Sequence, residues 1–130
     1  MPRSALSLVV ALLVAAPAAA QAPDFNREVR PILAGKCFKC HGPDDKARKA
    51  DLRLDDRAAA LDVLSPGKAT ASEVLRRTHS DDPAETMPPP AVKNALTARE
   101  KDILTRWVAA GARYDQHWAF VPVRRPRPSA

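Results

Sequence analysis

Two cysteines and a histidine lie within one short segment of this 130-residue chain, Cys37-Phe38-Lys39-Cys40-His41. Thiols separated by two residues lie on one helical turn, where each can form a thioether with one vinyl group of a haem. A histidine directly after the second cysteine places its imidazole beneath the iron. The spacing therefore predicts one covalently bound haem c, held by Cys37 and Cys40, with His41 as the proximal axial ligand.

Three other uses of this cysteine pair are less well supported by the sequence. A structural zinc site needs four ligands, and the remaining histidines, His79 and His117, are far from the motif and from each other. A thioredoxin-like redox pair needs a βαβ framework, and no strand-rich pattern surrounds the motif. A disulfide across two intervening residues closes a small loop, which stabilises a fold little, and it leaves His41 without a role. Haem attachment is the favoured interpretation.

A haem that carries electrons needs a second axial ligand on the face opposite His41, and Met87 is the predicted one. It is the only methionine after Met1, and Pro88-Pro89-Pro90 follows it. Consecutive prolines form a stiff extended segment, and the residue before a proline is also held extended. Such a segment holds a thioether against iron at a small cost in conformational entropy.

Alternatives to this second ligand remain open. A methionine also serves as a flexible side chain that fills a gap in a core. His79 is the rival ligand, although its polar surroundings, with Ser80 and Asp81 next to it, are more typical of a solvated surface residue. His117, beside Trp118, is predicted to pack or to form a hydrogen bond. A His/His haem would have a lower reduction potential than a His/Met haem, because thioether sulfur favours the reduced iron.

Residues 1–20 have the layout of a secretory signal peptide. Arg3 precedes an apolar run, and Ala18-Ala19-Ala20 supplies small residues at a cleavage site. The run is shorter than the roughly 20 residues that span a bilayer. We predict export to the periplasm with cleavage after Ala20, and an uncleaved N-terminal anchor is the alternative. No later segment is apolar enough to span a membrane.

Composition excludes one large class of partners. The formal net charge is +6, and three of the cations, Arg124, Arg125 and Arg127, lie in a proline-rich tail. Nucleic-acid binding needs clustered cations and, for single strands, aromatic platforms, and the sequence has neither. The chain has few aromatic residues (two Trp, one Tyr and three Phe). A small domain with a thin core is usually stabilised by disulfides, a metal or a cofactor.

Helical periodicity predicts an all-α fold with long irregular loops. Asp24 is predicted to cap the first helix, and Thr97 with Glu100 forms a capping box before the last helix. Gly111 fits a left-handed cap at the end of that helix. We expect the first and last helices to pack across each other beside the haem. Their inward-facing residues are Phe25, Val29, Ile32, Leu33, Ile103, Leu104, Trp107 and Val108.

The rest of the chain is predicted to be one small domain with a tail. Short helices are expected after Asp55 or Asp56 and over Ser72 to Arg77. The predicted domain covers residues 21–115. Residues 116–130 form an aromatic segment, which could fold back on the domain, and an Arg/Pro-rich tail or linker.

The ordered set of motifs resembles the cytochrome c superfamily and, more closely, the planctomycete-type cytochrome c domain. The haem motif alone indicates only a c-type cytochrome, whereas the further motifs make the narrower resemblance specific. These motifs are Pro31-Ile32-Leu33, Cys37 to Asp44, Leu52-Arg53-Leu54-Asp55, Pro66-Gly67-Lys68, Ser72-Glu73-Val74-Leu75, Met87-Pro88-Pro89-Pro90, Leu96 to Ala112 and His117-Trp118-Ala119-Phe120. One departure is Asp51, where a glycine is expected, and it puts the local turn in question.

The resemblance implies a class I cytochrome c-like fold around one haem c, with His41 and Met87 as axial ligands and electron transfer as the activity. It also implies the N-terminal domain of a larger exported protein, in which some of the following domains are thought to act on complex polysaccharides. This chain is then either part of a larger polypeptide or a free-standing version of the domain.

Electron transfer to a redox partner protein is the leading hypothesis, and the domain by itself is predicted not to be an enzyme. Lys36, Lys39 and Lys46 are candidates for steering an acidic partner, and ordinary surface lysines are the alternative. A second hypothesis is a haem-bearing sensor or docking module, which predicts a displaceable Met87. A third, a peroxidase-like haem, needs an acid–base residue in an open distal site, for which His79 is the histidine candidate.

Overall fold

The computed structural model describes residues 21–116 and 118–120. The predicted signal peptide at 1–20, His117 and the tail at 121–130 lie outside the described residues. The described part forms helices α1 (Arg30–Lys36), α2 (Arg57–Ala60), α3 (Glu73–His79) and α4 (Ala98–Ala109), a π-helical turn (Phe25–Val29), and 3₁₀ helices at Ala69–Ala71, Pro90–Val92 and Trp118–Phe120. It contains no β-strand, which confirms the predicted all-α fold. None of its helices is long and apolar enough to cross a bilayer.

The first helical segment begins at the predicted cap. The Asp24 carboxylate accepts a hydrogen bond from the Arg27 backbone N–H at 2.9 Å, which satisfies one of the unpaired donors of a helix start. The hydrogen-bond pattern changes from π-helical to α-helical at Arg30, directly before Pro31. Proline has no N–H to donate and is favoured in the first turn of a helix. Pro31 therefore marks the start of α1.

The last helix has both of its predicted ends. The Thr97 hydroxyl accepts from the Glu100 N–H at 3.2 Å, and the Glu100 carboxylate accepts from the Thr97 N–H at 2.7 Å. This reciprocal pair is the predicted capping box. Gly111 has a φ of +107° just after the helix, a backbone conformation that suits glycine because it lacks a Cβ atom. Both sequence predictions for this helix are confirmed.

The core forms where α4 packs against the π-helical turn and α3. All eight residues predicted to face inward are buried. Phe25 and Trp107 pack with Tyr114, at ring-centroid distances of 4.7 Å from Phe25 to Tyr114 and 5.3 Å from Trp107 to Tyr114. The Tyr114 hydroxyl donates to the Leu54 carbonyl at 2.9 Å, and the Trp107 indole N–H donates to the Arg113 carbonyl at 2.8 Å. The polar ends of these buried rings are therefore satisfied.

The irregular segments are tied to the helices by hydrogen bonds. Asp56 caps α2, as predicted, by accepting from the Ala59 N–H at 3.1 Å. The turn at Gly67 donates its N–H to the Val108 carbonyl of α4 at 2.8 Å. After α4, the Gln116 carbonyl accepts from the Asn26 side-chain amide at 2.8 Å, so the chain folds back on the first helical segment. Of the aromatic residues after α4, Tyr114 packs on the core, whereas Phe120 is 72% exposed.

Candidate haem site

The Cys-x-x-Cys-His motif continues the helical turn of α1. The Cys37 N–H donates to the Leu33 carbonyl at 2.8 Å, and the His41 N–H donates to the Cys37 carbonyl at 2.8 Å. Cys40 also donates its N–H to the Cys37 carbonyl, at 3.1 Å. These bonds wind residues 37–41 into one turn, which brings both thiols and the imidazole to the same side of the chain.

That side borders a cavity of about 500 Å³, which lies within the range of roughly 300–1,000 Å³ for small-molecule and cofactor pockets. Cys37, Cys40, His41 and Met87 all line it. The structure thus brings together the four residues that sequence analysis singled out for haem binding. The larger aliphatic residues of the lining are Leu52, Leu54, Val63, Val74 and Val92.

The orientation of His41 is set by a backbone carbonyl. Its Nδ1 atom lies 3.2 Å from the Lys49 carbonyl oxygen. A carbonyl oxygen only accepts hydrogen bonds, so Nδ1 carries the proton and donates it, and Nε2 is the nitrogen with a free lone pair. This second hydrogen bond is the usual way to fix the tautomer and basicity of a metal-binding histidine. The Lys49 N–H in turn donates to the Cys40 carbonyl at 2.7 Å.

The turn after Lys49 has a backbone conformation that glycine favours. Ala50 has a φ of 54° and Asp51 a φ of 50°, and both residues line the cavity. Asp51 occupies the position where a glycine was expected, and the structure accommodates it because aspartate tolerates the left-handed region better than most residues. Ala50 has no polar side chain to offset the same strain.

Gly42 is required by a close approach of two backbone segments. A Cβ atom added at this position would overlap the Phe38 carbonyl oxygen, so any larger residue would push the motif turn open. The carbonyl of the preceding residue, His41, accepts from the Leu54 N–H at 2.9 Å. The glycine therefore lets the chain leave the motif closely enough to form this bond.

Met87 is the first residue of a second segment that lines the cavity. We call residues 87–94 the Met87 strap. The Met87 N–H donates to the Arg77 carbonyl of α3 at 3.1 Å. Met87, Pro88 and Pro89 line the cavity, as does Asn94 at the end of the strap.

His79, the rival axial ligand, is placed elsewhere. It is exposed, and its Nδ1 donates to the Leu75 carbonyl of its own helix at 2.9 Å. It lines a separate shallow depression together with Arg76 and Thr105, and it is not among the residues that line the cavity.

Both cysteines are free thiols in this structure. Burial raises the pKa of Cys37 to about 11, and the neighbouring Cys40 acts in the same direction. The Cys37 thiol is therefore ionised less readily than that of an exposed cysteine. Within the described part of the chain, no group of three or more His, Cys, Asp or Glu side chains is placed to hold a metal ion.

The residues present fit a haem by their chemistry. A pair of thiols on one turn, an imidazole with its Nε2 lone pair available, and a thioether surround one cavity with aliphatic walls. Imidazole and thioether are the axial donors of His/Met cytochromes. A helical domain with these donor groups has the side chains that a c-type cytochrome needs to bind its haem.

Comparison with known families agrees with that class. Residues 37–91 match the model of the family described as Planctomycete cytochrome C, and the matched segment contains Cys37, Cys40, His41 and Met87. The predicted resemblance to the planctomycete-type cytochrome c domain is thereby confirmed, and haem binding is the function that this family indicates. Comparisons with curated proteins and with solved structures give no match.

Three features of the site differ from the sequence predictions or were not predicted. Trp107, predicted to be buried in a core that borders the haem, is buried and packs with Phe25 and Tyr114, and it is not among the residues that line the cavity. The Lys49 carbonyl was missed, because a backbone acceptor leaves no signal in the residue type. Asn94 was also missed, since nothing in its residue type or neighbours distinguishes it from any other loop asparagine.

Replacing Ala50 with glycine should stabilise the haem-loaded protein. The left-handed conformation costs a non-glycine residue roughly 1–2 kcal/mol of stability. Glycine in turn lowers stability by roughly 0.5–1 kcal/mol, because its unfolded chain has more conformational entropy to lose on folding. We therefore expect Ala50→Gly to raise the free energy of unfolding by about 0.5–1 kcal/mol in urea titrations. The control is Ala58→Gly in α2, where the same change should be destabilising. Equal destabilisation by both substitutions would show that Ala50 is not in the left-handed region.

Proposed function

We propose that this protein is an exported electron-transfer domain that carries one haem c. Cys37 and Cys40 would hold the haem as thioethers, and His41 and Met87 would be the axial ligands of its iron. The observation that carries the proposal is the convergence of these four side chains on one cavity with aliphatic walls. Chance placement is a poor explanation, since Met87 is distant in sequence from the motif.

The chain's own residues would supply three functions. The motif turn fixes the thiols and His41 relative to one another, and the Lys49 carbonyl holds the His41 ring with Nε2 available. The aliphatic side chains of the lining would contact the apolar parts of the haem, and the Met87 thioether would favour the reduced state over the oxidised one. When bound, the haem supplies reversible one-electron chemistry of its iron.

The placement of His79 argues against the peroxidase-like alternative. A distal acid–base residue has to face the iron-binding cavity, whereas His79 is exposed and lines a different depression. His79 is disfavoured as an axial ligand for the same reason. The proposal is therefore that the domain by itself carries electrons and does not catalyse bond chemistry.

The proposed partner is a redox protein with an acidic surface. Lys39 and Lys46 are exposed in and beside the haem motif, where they can raise the association rate with a negatively charged partner. The proposed location is the periplasm, with residues 1–20 as the signal peptide. Residues 21–115 would form the cytochrome domain and residues 116–130 a tail or a linker to a larger polypeptide.

Covalent attachment is tested by expressing the full chain together with the haem c maturation machinery. We expect the denatured protein to retain haem and its pyridine haemochrome spectrum to be that of a haem with two thioether bonds. Cys37→Ala and Cys40→Ala should each shift that spectrum toward the one-thioether form, and the double variant should release the haem on denaturation. Release of haem from the unaltered protein would contradict covalent binding.

Methionine ligation has its own signature in the ferric protein. The weak red-region absorption band of a His/Met haem should be present in the unaltered protein and absent in Met87→Ala, because the iron–sulfur bond is lost. The matched control is His79→Ala, which should keep the band unchanged. Persistence of the band in Met87→Ala would exclude Met87. Rapid binding of carbon monoxide or cyanide by the unaltered protein would support the sensor hypothesis instead.

A further inference from the structure

We propose that Lys36 and Asn94 form a clasp that holds the Met87 strap against the haem-motif helix, and that both are positioning residues for the Met87 ligand. This inference rests on the proposed function, since it concerns how firmly Met87 is held at the iron. It assigns a role to Lys36, which the sequence suggested as a lysine that steers a partner, and to Asn94, for which the sequence suggested no role.

Three hydrogen bonds make up the clasp. The Asn94 side-chain amide donates to the Gly35 carbonyl at 2.8 Å. The Lys36 ammonium donates to the Asn94 side-chain oxygen at 2.8 Å and to the Ala95 carbonyl at 3.0 Å. Gly35 lies in the last turn of α1, where carbonyls lack an intrahelical donor. Both ends of the Asn94 amide group are thus bonded to α1, across a large separation in sequence.

The surroundings of Lys36 strengthen these bonds. Its side chain is 19% exposed, and its ammonium lies 3.8 Å from the Glu100 carboxylate, which is 24% exposed. A hydrogen bond with a charged partner is stronger than a neutral one, particularly when it is partly shielded from water. Glu100 belongs to the capping box of α4, so the Lys36 ammonium joins α1, the strap and the start of α4. Lys36 is consequently not available to steer a partner, unlike Lys39 and Lys46.

The clasp matters for Met87 because the strap is fixed at both ends. Met87 is bonded to α3 through the Arg77 carbonyl, and Asn94 is bonded to α1. Between them, three consecutive prolines restrict the backbone. A strap with little internal slack leaves the cavity only when one end opens. The Asn94 end is attached directly before Cys37, so it ties the wall that carries Met87 to the segment that would carry the haem.

The test uses the full haem-loaded protein and measures the rate at which cyanide replaces the sixth ligand of the ferric iron. This replacement requires Met87 to leave first, so the rate reports how often the strap opens. We expect Asn94→Ala and Lys36→Met each to raise the rate by about tenfold, which corresponds to about 1.4 kcal/mol. The matched control is Lys46→Met, which removes an exposed lysine near the motif and should leave the rate unchanged.

A second measurement separates the clasp from a general structural role. Residues that only stabilise the fold would lower the urea midpoint without changing the cyanide rate of the folded protein. The double variant should be faster than either single variant but by less than the product of their two effects, because the Lys36–Asn94 hydrogen bond is lost in both. Unchanged rates in both single variants would overturn the clasp, even where the red-region band is present and depends on Met87. A band that does not depend on Met87 would instead overturn the proposed function.

Discussion

The hydrogen bond from His41 Nδ1 to the Lys49 carbonyl closes the haem motif against the loop that follows it. His41 has to present Nε2 to the cavity, and this depends on a carbonyl that sits at a fixed place beside the ring. The carbonyl is fixed because Lys49 donates its own N–H back to Cys40 and because Ala50 and Asp51 turn the chain sharply. The left-handed turn at these two residues is part of what holds the Lys49 carbonyl beside the imidazole.

In this domain, packing of apolar side chains mainly provides stability, and hydrogen bonds mainly fix the orientation of groups. Burial of a large apolar side chain such as Phe25 contributes roughly 1.5–3 kcal/mol, whereas a single hydrogen bond contributes roughly 0.5–1.5 kcal/mol. Burial of apolar side chains such as Phe25, Leu33 and Leu104 therefore contributes more to the stability of the helical frame than single hydrogen bonds do. The hydrogen bonds of His41 and Asn94 add less stability, and their main effect is to fix the direction of groups around the cavity.

Local sequence patterns predicted the parts of the structure that depend on local interactions. The capping box of Thr97 and Glu100, the cap at Asp24 and the turn of Cys37 to His41 each involve residues within a few positions of one another. The sequence also indicated Met87 as the candidate for the second axial ligand, because one methionine followed by three prolines forms a distinctive pattern.

Contacts between distant segments were not predictable in the same way. Nothing in the sequence pairs Asn94 with Gly35, and the sequence does not distinguish Lys36 from an ordinary surface lysine. The stripe that contains Trp107 shows that the residue is buried, but it does not show which neighbour covers it. Periodicity predicts which face of a helix is buried. Which residues contact that face depends on how the helices cross.

Iron-edge X-ray absorption of the purified ferric protein tests the central claim most directly, because it detects the atoms bonded to the iron. If His41 and Met87 share the iron, the spectrum will contain one sulfur atom in addition to the haem and imidazole nitrogens, and Met87→Ala will remove that sulfur. An iron bonded only to nitrogen or oxygen in the unaltered protein would contradict the assignment of the cavity as a His/Met haem site.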